Sequence, residues 1–574
     1  MSALVLHGVP VHVRHDRPPV EAVAVVDGRV TAAGSLAEAT AAAPGATVRR
    51  LPGGAVLPAF VDPHQHAFLV AADPMVEVLR RCAPDVPGLL AVLRTLVATL
   101  DETLDGTLDG TVDGTVDGRA APEPGGWLRF HGYEPLALAE HRSPTAAELD
   151  RVTADRPLHV LARTYHESVV NSAGLAALGI TATTPDPPGG RIVRDRRGRA
   201  TGVLLESASF LAEARSRPVL DADVFDARLA AHGRRLLALG ITRIGDAATP
   251  ATAAARLRAV LAAVGVDAVP LLTGHRIDTP AFVAGGTAKV LVDGGEYCHL
   301  CMTSGQLARV TASAVRAGFG PDRALARSLG RRTGTPRRGA DGRWHTGIRY
   351  PAAGRLDALV RLAADAGSRI ALHAVGNGAV ETVLRARAAD HGLADAVPLR
   401  LEHAMALAPD AAARIADAGV PVVTQPAFLA VYGHDLEVTP VPAPLRLLPL
   451  RTMLDAGVDL ALSSDHPAVP ADPFVGVHAA VTRRDDRGRP VHPEEALTVA
   501  QALTACTASA ARVLGAADAG TLEPGSPADI VWCDGDPHRV DPDDLAGIGV
   551  LATWSHGRLV HATDAAAETV GRAR

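Results

Sequence analysis

Apolar and polar residues alternate at both ends of the chain and give way in the middle to short apolar runs separated by Ala-rich stretches. Near the start, VLHGVPVHVRH alternates, and AVAVVDGRVTAAG places Asp27-Gly28 between two apolar arms, a hairpin signal. The far end reads the same way. ADIVWCDGD (528–536) and VLATWSHGRLVH (550–561) are strand-like, the second with a His-Gly turn. The pattern predicts a small β-sandwich domain built from residues 1–54 and 510–574, with residues 55–509 inserted between its halves.

The insert alternates strand and helix. Strand candidates are 55–62, 158–163, 241–246, 268–274, 288–294, 369–376, 399–404, 420–426 and 458–466, with helical stretches such as 357–367 and 379–391 between them. Repeated βα units over this length predict an α/β fold, a (β/α)8 TIM-like barrel. Nine candidates for eight places put at least one strand in an insertion. Residues 103–118, TLDGTLDGTVDGTVDG, form a tandem repeat inside a low-complexity stretch, 101–120. Its Asp spacing matches neither an EF-hand loop nor a nonapeptide calcium repeat, so it is expected to be a surface loop.

Composition narrows the function. With 47% hydrophobic and 21% charged residues the chain is a folded globular protein. A net charge of −6 argues against nucleic-acid partners. No apolar run reaches the roughly 18 residues of a membrane span, and the N-terminus lacks a signal-peptide pattern. Five Cys fit a reducing cytoplasm better than a disulfide framework. The sequence leaves a homo-oligomer open. Lys plus Arg total 57, and Lys289 is the one Lys, so 57 − 1 = 56 are Arg. A Lys kept against that bias suggests chemistry that Arg cannot do, such as losing its proton.

Polar groups collect where apolar strands end. Asp62-Pro-His64-Gln-His66 follows AVLPAFV, and side chains two apart on an extended chain share a face, so both imidazoles can reach one metal ion. RIALHAVG carries His373, LRLEHA ends near His403, VDLALSSDH carries Asp465, and AKVLVDG carries Lys289. Active sites of (β/α)8 barrels form at such strand ends.

These motifs together resemble the amidohydrolase superfamily, and more narrowly amidohydrolase family 3, which includes N-substituted formamide deformylases. The resemblance extends through TYHESVVNSAGL (164–175), GRIVRDRRGRATGVLLE (190–206), LHAVGNGAVE, RLEHA, SSDHP and the closing TACTASAARVLGAADAGTLEPGSPADIVW (504–532), nearly the whole chain. It implies one or two divalent ions, most simply zinc, held by His64, His66 and Asp465 and by His373 and His403. Lys289, as a carbamate, would bridge them. It further implies Asp465 as the proton carrier, His166 as a hydrogen-bond donor to the substrate oxygen, and Asn171, Glu206 and Asn377 as weaker pocket candidates. The implied reaction is hydrolysis of a linear amide or N-substituted formamide, a small-molecule substrate, by metal-activated hydroxide. A mononuclear deaminase or cyclic-amide hydrolase and a non-catalytic scaffold are the alternatives. The chain departs from the family at Asn377, where Asp is usual, and over GEYCHLCMTSG after Asp293-Gly294. There Cys298 and Cys301 are expected to serve as pocket wall, with metal ligation as the alternative. Aromatics are only 3% of residues and mark no motif, so an aromatic pocket is not expected.

Overall fold

A computed structural model describes residues 3–73, 84–104, 126–274, 276–319, 335–389, 397–438 and 444–572. Apart from Thr103 and Leu104, the TLDG/TVDG repeat lies outside them.

Alternation within single strands builds the barrel. Along Arg369–Ala374, Ile370, Leu372 and Ala374 enter the large apolar core beneath the helices, while Ala371 and His373 face the barrel interior. Along Thr287–Leu291 and the residue after it, Val290 and Val292 enter the same core, and Lys289 and Leu291 face inward. Eight such strands are parallel and neighbour one another in chain order. They are β1 (Phe60–Gln65), β2 (Ile241–Pro250), β3 (Asp267–Thr273), β4 (Thr287–Leu291), β5 (Arg369–Ala374), β6 (Leu399–His403), β7 (Val422–Thr424) and β8 (Leu460–Leu462). The ring closes just past β8, where the Asp465 N–H donates to the His64 carbonyl (2.8 Å) and the His66 N–H to the His466 carbonyl (2.9 Å).

Helices cover the outside. Leu356–Ala366 shows why: Leu356, Leu359, Val360 and Ala363 fall on one face and are buried, and the helix stops at Gly367, whose φ of 62° suits glycine. The ninth strand candidate belongs elsewhere. Leu158–Ala162 lies in a five-stranded sheet with Leu128–Tyr133, Glu167–Val170, Gly190–Arg194 and Ala200–Glu206, inserted between β1 and β2. Its core of Leu128, Phe130, Leu158, Val160 and Val169 is its own.

The two chain ends meet, but not as the expected β-sandwich. Hydrogen bonds link all eight terminal strands into one sheet rather than two. Its wings share a core in which Trp532 and Trp554 join Leu6, Val23 and Val25. The segment 55–62 also divides. Ala55–Pro58 pairs with Ile530–Cys533 in the terminal sheet, and the barrel begins at Phe60. Trp532 is 2% exposed and its Nε1 donates to the Gly53 carbonyl (2.8 Å). Trp532→Ala is expected to cost about 3–5 kcal/mol of stability, read as a lower denaturation midpoint.

Candidate metal and active site

Every residue expected to hold metal reaches the same mouth of the barrel. His64 and His66, two apart at the end of β1, both point inward with ring centres 5.5 Å apart. His403 lies 4.9 Å from His64 and 4.5 Å from His373, ring centre to ring centre. His66 Nε2 is 3.0 Å and His64 Nε2 3.4 Å from Asp465 Oδ1. Lys289 Nζ is 3.3 Å from His64 Nε2.

Two of these residues hold left-handed backbone. In β6, Leu399 and Leu401 enter the outer core while Arg400 and Glu402 face inward. Strict alternation would turn His403 outward, and its φ of 76° returns it to the interior. Asp465 has φ 60°. Strained conformations of this kind persist only where their surroundings over-determine them, and they gather at functional sites.

The imidazoles are each held by the nitrogen that faces away from the centre. His64 Nδ1 is 2.5 Å from Glu402 Oε2, His66 Nδ1 is 2.6 Å from the Ala247 carbonyl, and His403 Nδ1 is 2.8 Å from Gln425 Oε1. Each bond fixes a tautomer and leaves Nε2 for the interior, as metal-ligating histidines require. His373 Nε2 is buried and has no hydrogen-bond partner among the described residues, as a nitrogen kept for a metal would be.

Charge states agree with that use. Burial pushes the His403 imidazole down to about 3, and burial with neighbouring cations and imidazoles holds His373 well below its usual value, so both are neutral. Burial also opposes ionisation of Asp465, but His64, His66 and His403 outweigh it and keep the carboxyl far below the carboxylate range. Lys289 is 3% exposed, and burial brings its amine down to about 8 against the pull of Glu402 and Asp465. No carboxylate of the described residues comes within ion-pair distance of it. A surface or salt-bridge role for Lys289 is therefore not what this position offers.

Above the mouth, the inserted sheet supplies His166. Its Nδ1 is 2.6 Å from Glu206 Oε2, and that carboxylate also accepts from Tyr350 Oη (3.0 Å) and the Gly295 N–H (3.1 Å). Burial lowers the His166 imidazole, but Glu206 more than compensates and raises it. A side chain at Gly295 would collide with the ring, since its Cβ would stand 2.7 Å from His166 Cδ2.

His64, His66, His166, Lys289, His373, His403 and Asp465 line a cavity of about 220 Å³. The rest of its wall is largely apolar, including Leu136, Ile277, Met405 and Leu447. Tyr165, Phe210, Phe428 and Tyr432 also line it, against the expectation from the sequence. Tyr165 and Phe210 come from separate segments, while Phe428 and Tyr432 stand one turn apart on the helix Ala427–Val438 with ring centres 5.5 Å apart. Cys298 is part of the wall, as expected; Cys301 is not.

The three weaker candidates are placed differently. The Asn171 amide caps the helix Ser172–Ala177 and makes four bonds to backbone, at Gly174, Leu158, Thr153 and Arg156. Its groups are spent, so it is a structural cap and not a pocket residue. Asn377 bonds the Cys301 backbone at both its N–H (3.0 Å) and its carbonyl (2.9 Å), likewise away from the cavity. Glu206 acts on His166 and does not line the wall. Glu402 and Gln425, which the sequence reading did not single out, sit in LRLEHA and at the end of VPVVTQP, and that position at strand ends was their signal.

Residues 48–561 match the family described as Amidohydrolase family. An N-substituted formamide deformylase of Arthrobacter pascens is 30% identical over 551 residues, 94% of either chain. Two solved structures share the fold. An uncharacterized metal-dependent hydrolase of Pyrococcus horikoshii OT3 superposes with TM-score 0.64 at 20% identity, covering 94% of this chain and 99% of that one. Its counterpart from Pyrococcus furiosus gives 0.61 at 21% identity, covering 94% and 100%. The chain belongs to the amidohydrolase family and is a hydrolase acting on carbon–nitrogen bonds.

Proposed function

We propose that the chain hydrolyses a linear amide or N-substituted formamide whose nitrogen carries an apolar group, using divalent metal, most simply zinc, at the barrel mouth. The observation that carries this reading is the buried His373 Nε2, orphaned beside inward-facing imidazoles and an ionised Asp465. His64, His66 and Asp465 would hold one ion and His373 and His403 a second, with Lys289 as a bridging carbamate. Bound ions of this kind supply Lewis-acid activation of water and of the scissile carbonyl.

The chain's own groups do the rest. The apolar wall excludes water and takes the substituent on nitrogen. His166, kept protonated by Glu206, directs its Nε2–H into the cavity toward the carbonyl oxygen. Asp465 takes a proton on its carboxylate and returns it to the departing nitrogen. Glu206→Gln is expected to lose part of the roughly 10²–10³-fold in kcat that one such donor supplies, with metal content unchanged.

Metal analysis of protein purified with and without bicarbonate, beside a screen of N-formyl and N-acyl amines, tests the proposal. Chelation should remove activity and zinc restore it. Activity that survives complete removal of metal overturns the reading.

A further inference from the structure

The segment that departs from the family pattern, GEYCHLCMTSG, contains a second cluster of ligand-type side chains. Leu300–Met302, Trp344–Thr346 and Arg337–Arg338 form a three-stranded antiparallel sheet. Cys301 stands directly opposite His345 across the first pair of strands, so their side chains leave the same face. Asp341, in the turn between the other two strands, has Oδ1 3.1 Å from His345 Nε2. One donor atom from each of Cys301, Asp341 and His345 lies within 4.8 Å of the other two.

Three further observations point to an ion. The second nitrogen of His345, Nδ1, is 2.8 Å from Nε2 of the buried His299, and the two rings are stacked at 5.1 Å. His345 is thus braced from behind with Nε2 presented, the arrangement that orients metal-ligating imidazoles. Cys301 is 6% exposed, and its thiol has no hydrogen-bond partner among the described residues. At Gly339 a Cβ would stand 2.6 Å from both Asp341 Oδ1 and His345 Nε2, so the space at the cluster exists because that residue is glycine.

We propose that Cys301, His345 and Asp341 bind a divalent transition ion of the zinc type, separate from the barrel-mouth site. Thiolate, imidazole and carboxylate are a zinc donor set, and thiolate disfavours magnesium and calcium. Three protein ligands leave one position to water on the solvent side, where Asp341 is exposed. None of the three lines the active-site cavity, but Leu300, next to Cys301 and on the opposite face of the strand, does. The ion would brace the strand that walls the cavity.

Cobalt loading of the full-length protein tests this, because thiolate-to-cobalt charge transfer gives a near-ultraviolet band that the barrel-mouth ligands, which include no Cys, cannot give. The band should be present. Cys301→Ser and His345→Ala should each lose it together with one equivalent of cobalt. Asp341→Ala, a change at an exposed turn that leaves the core intact, should weaken cobalt binding at the band-giving site by more than the roughly 10–100-fold that loss of a ligand's supporting hydrogen bond costs. Cys298→Ser and Asp465→Asn should keep the band. Absence of the band, its survival in Cys301→Ser, its loss in Cys298→Ser, or unchanged affinity in Asp341→Ala overturns the site. Those outcomes leave the hydrolase reading untouched.

Discussion

Asp465→Asn is expected to lower kcat by roughly 10²–10⁴-fold, the size of a general acid–base contribution, while metal stays bound. Asn keeps the size of the side chain and one oxygen facing His64 and His66. It also tolerates positive φ, so the 60° at this position adds no new strain. What it loses is the charge and the ability to carry a proton. The carboxylate sits at 3.0 Å from His66 Nε2 and is ionised, which leaves an oxygen lone pair to receive a proton where Asn has none to carry. Steady-state kinetics, with metal analysis and a melting curve on the same sample, separate lost chemistry from lost structure. Turnover preserved at the parent rate would remove Asp465 from the role of proton carrier.

The candidate site was legible because its residues sit in local patterns that a chain cannot hide. A strand that alternates Leu-Arg-Leu-Glu before His403 declares both its period and its inward face. Lys289 stands out by composition alone, as the one Lys beside 56 Arg. Other features depend on contacts between distant segments. Whether Leu158–Ala162 joins the barrel or an inserted sheet is decided by its partners at Leu128–Tyr133 and Glu167–Val170, and its own apolar run is compatible with either. The inward turn of His403 rests on a single backbone angle. Tyr165, Phe210 and the pair Phe428 and Tyr432, one turn apart on a single helix, make an aromatic wall in a chain poor in aromatics because three segments converge. Asn171 illustrates the opposite error. Asn ahead of Ser-Ala-Gly-Leu is a helix-cap pattern, in which Oδ1 accepts from the Gly174 N–H, and here the NH2 is also taken by the Thr153 and Arg156 carbonyls.

Lys289→Arg keeps the positive charge and is expected to remove the activity. The loss should exceed the roughly 10–100-fold that follows when a ligand merely loses its supporting hydrogen bond. The position is closed to solvent, and burial brings the amine down to about 8, so roughly a tenth of it is neutral at pH 7 against far less for an exposed Lys. A neutral amine can add carbon dioxide and become an anionic carbamate; a guanidinium stays charged and cannot. Arg here would instead bury a permanent cation among imidazoles, at a position where Lys289 Nζ approaches His64 Nε2 at 3.3 Å. Metal per chain should fall along with kcat. Because a buried Arg also threatens folding, Lys289→Ala is the companion variant. It removes the charge, opens a gap, and should regain part of its activity when a short carboxylic acid is added to stand in for the carbamate. Full activity in Lys289→Arg, or activity in the parent chain that is indifferent to removal of bicarbonate and carbon dioxide during metal loading, would show that Lys289 works as an amine and not as a bridge.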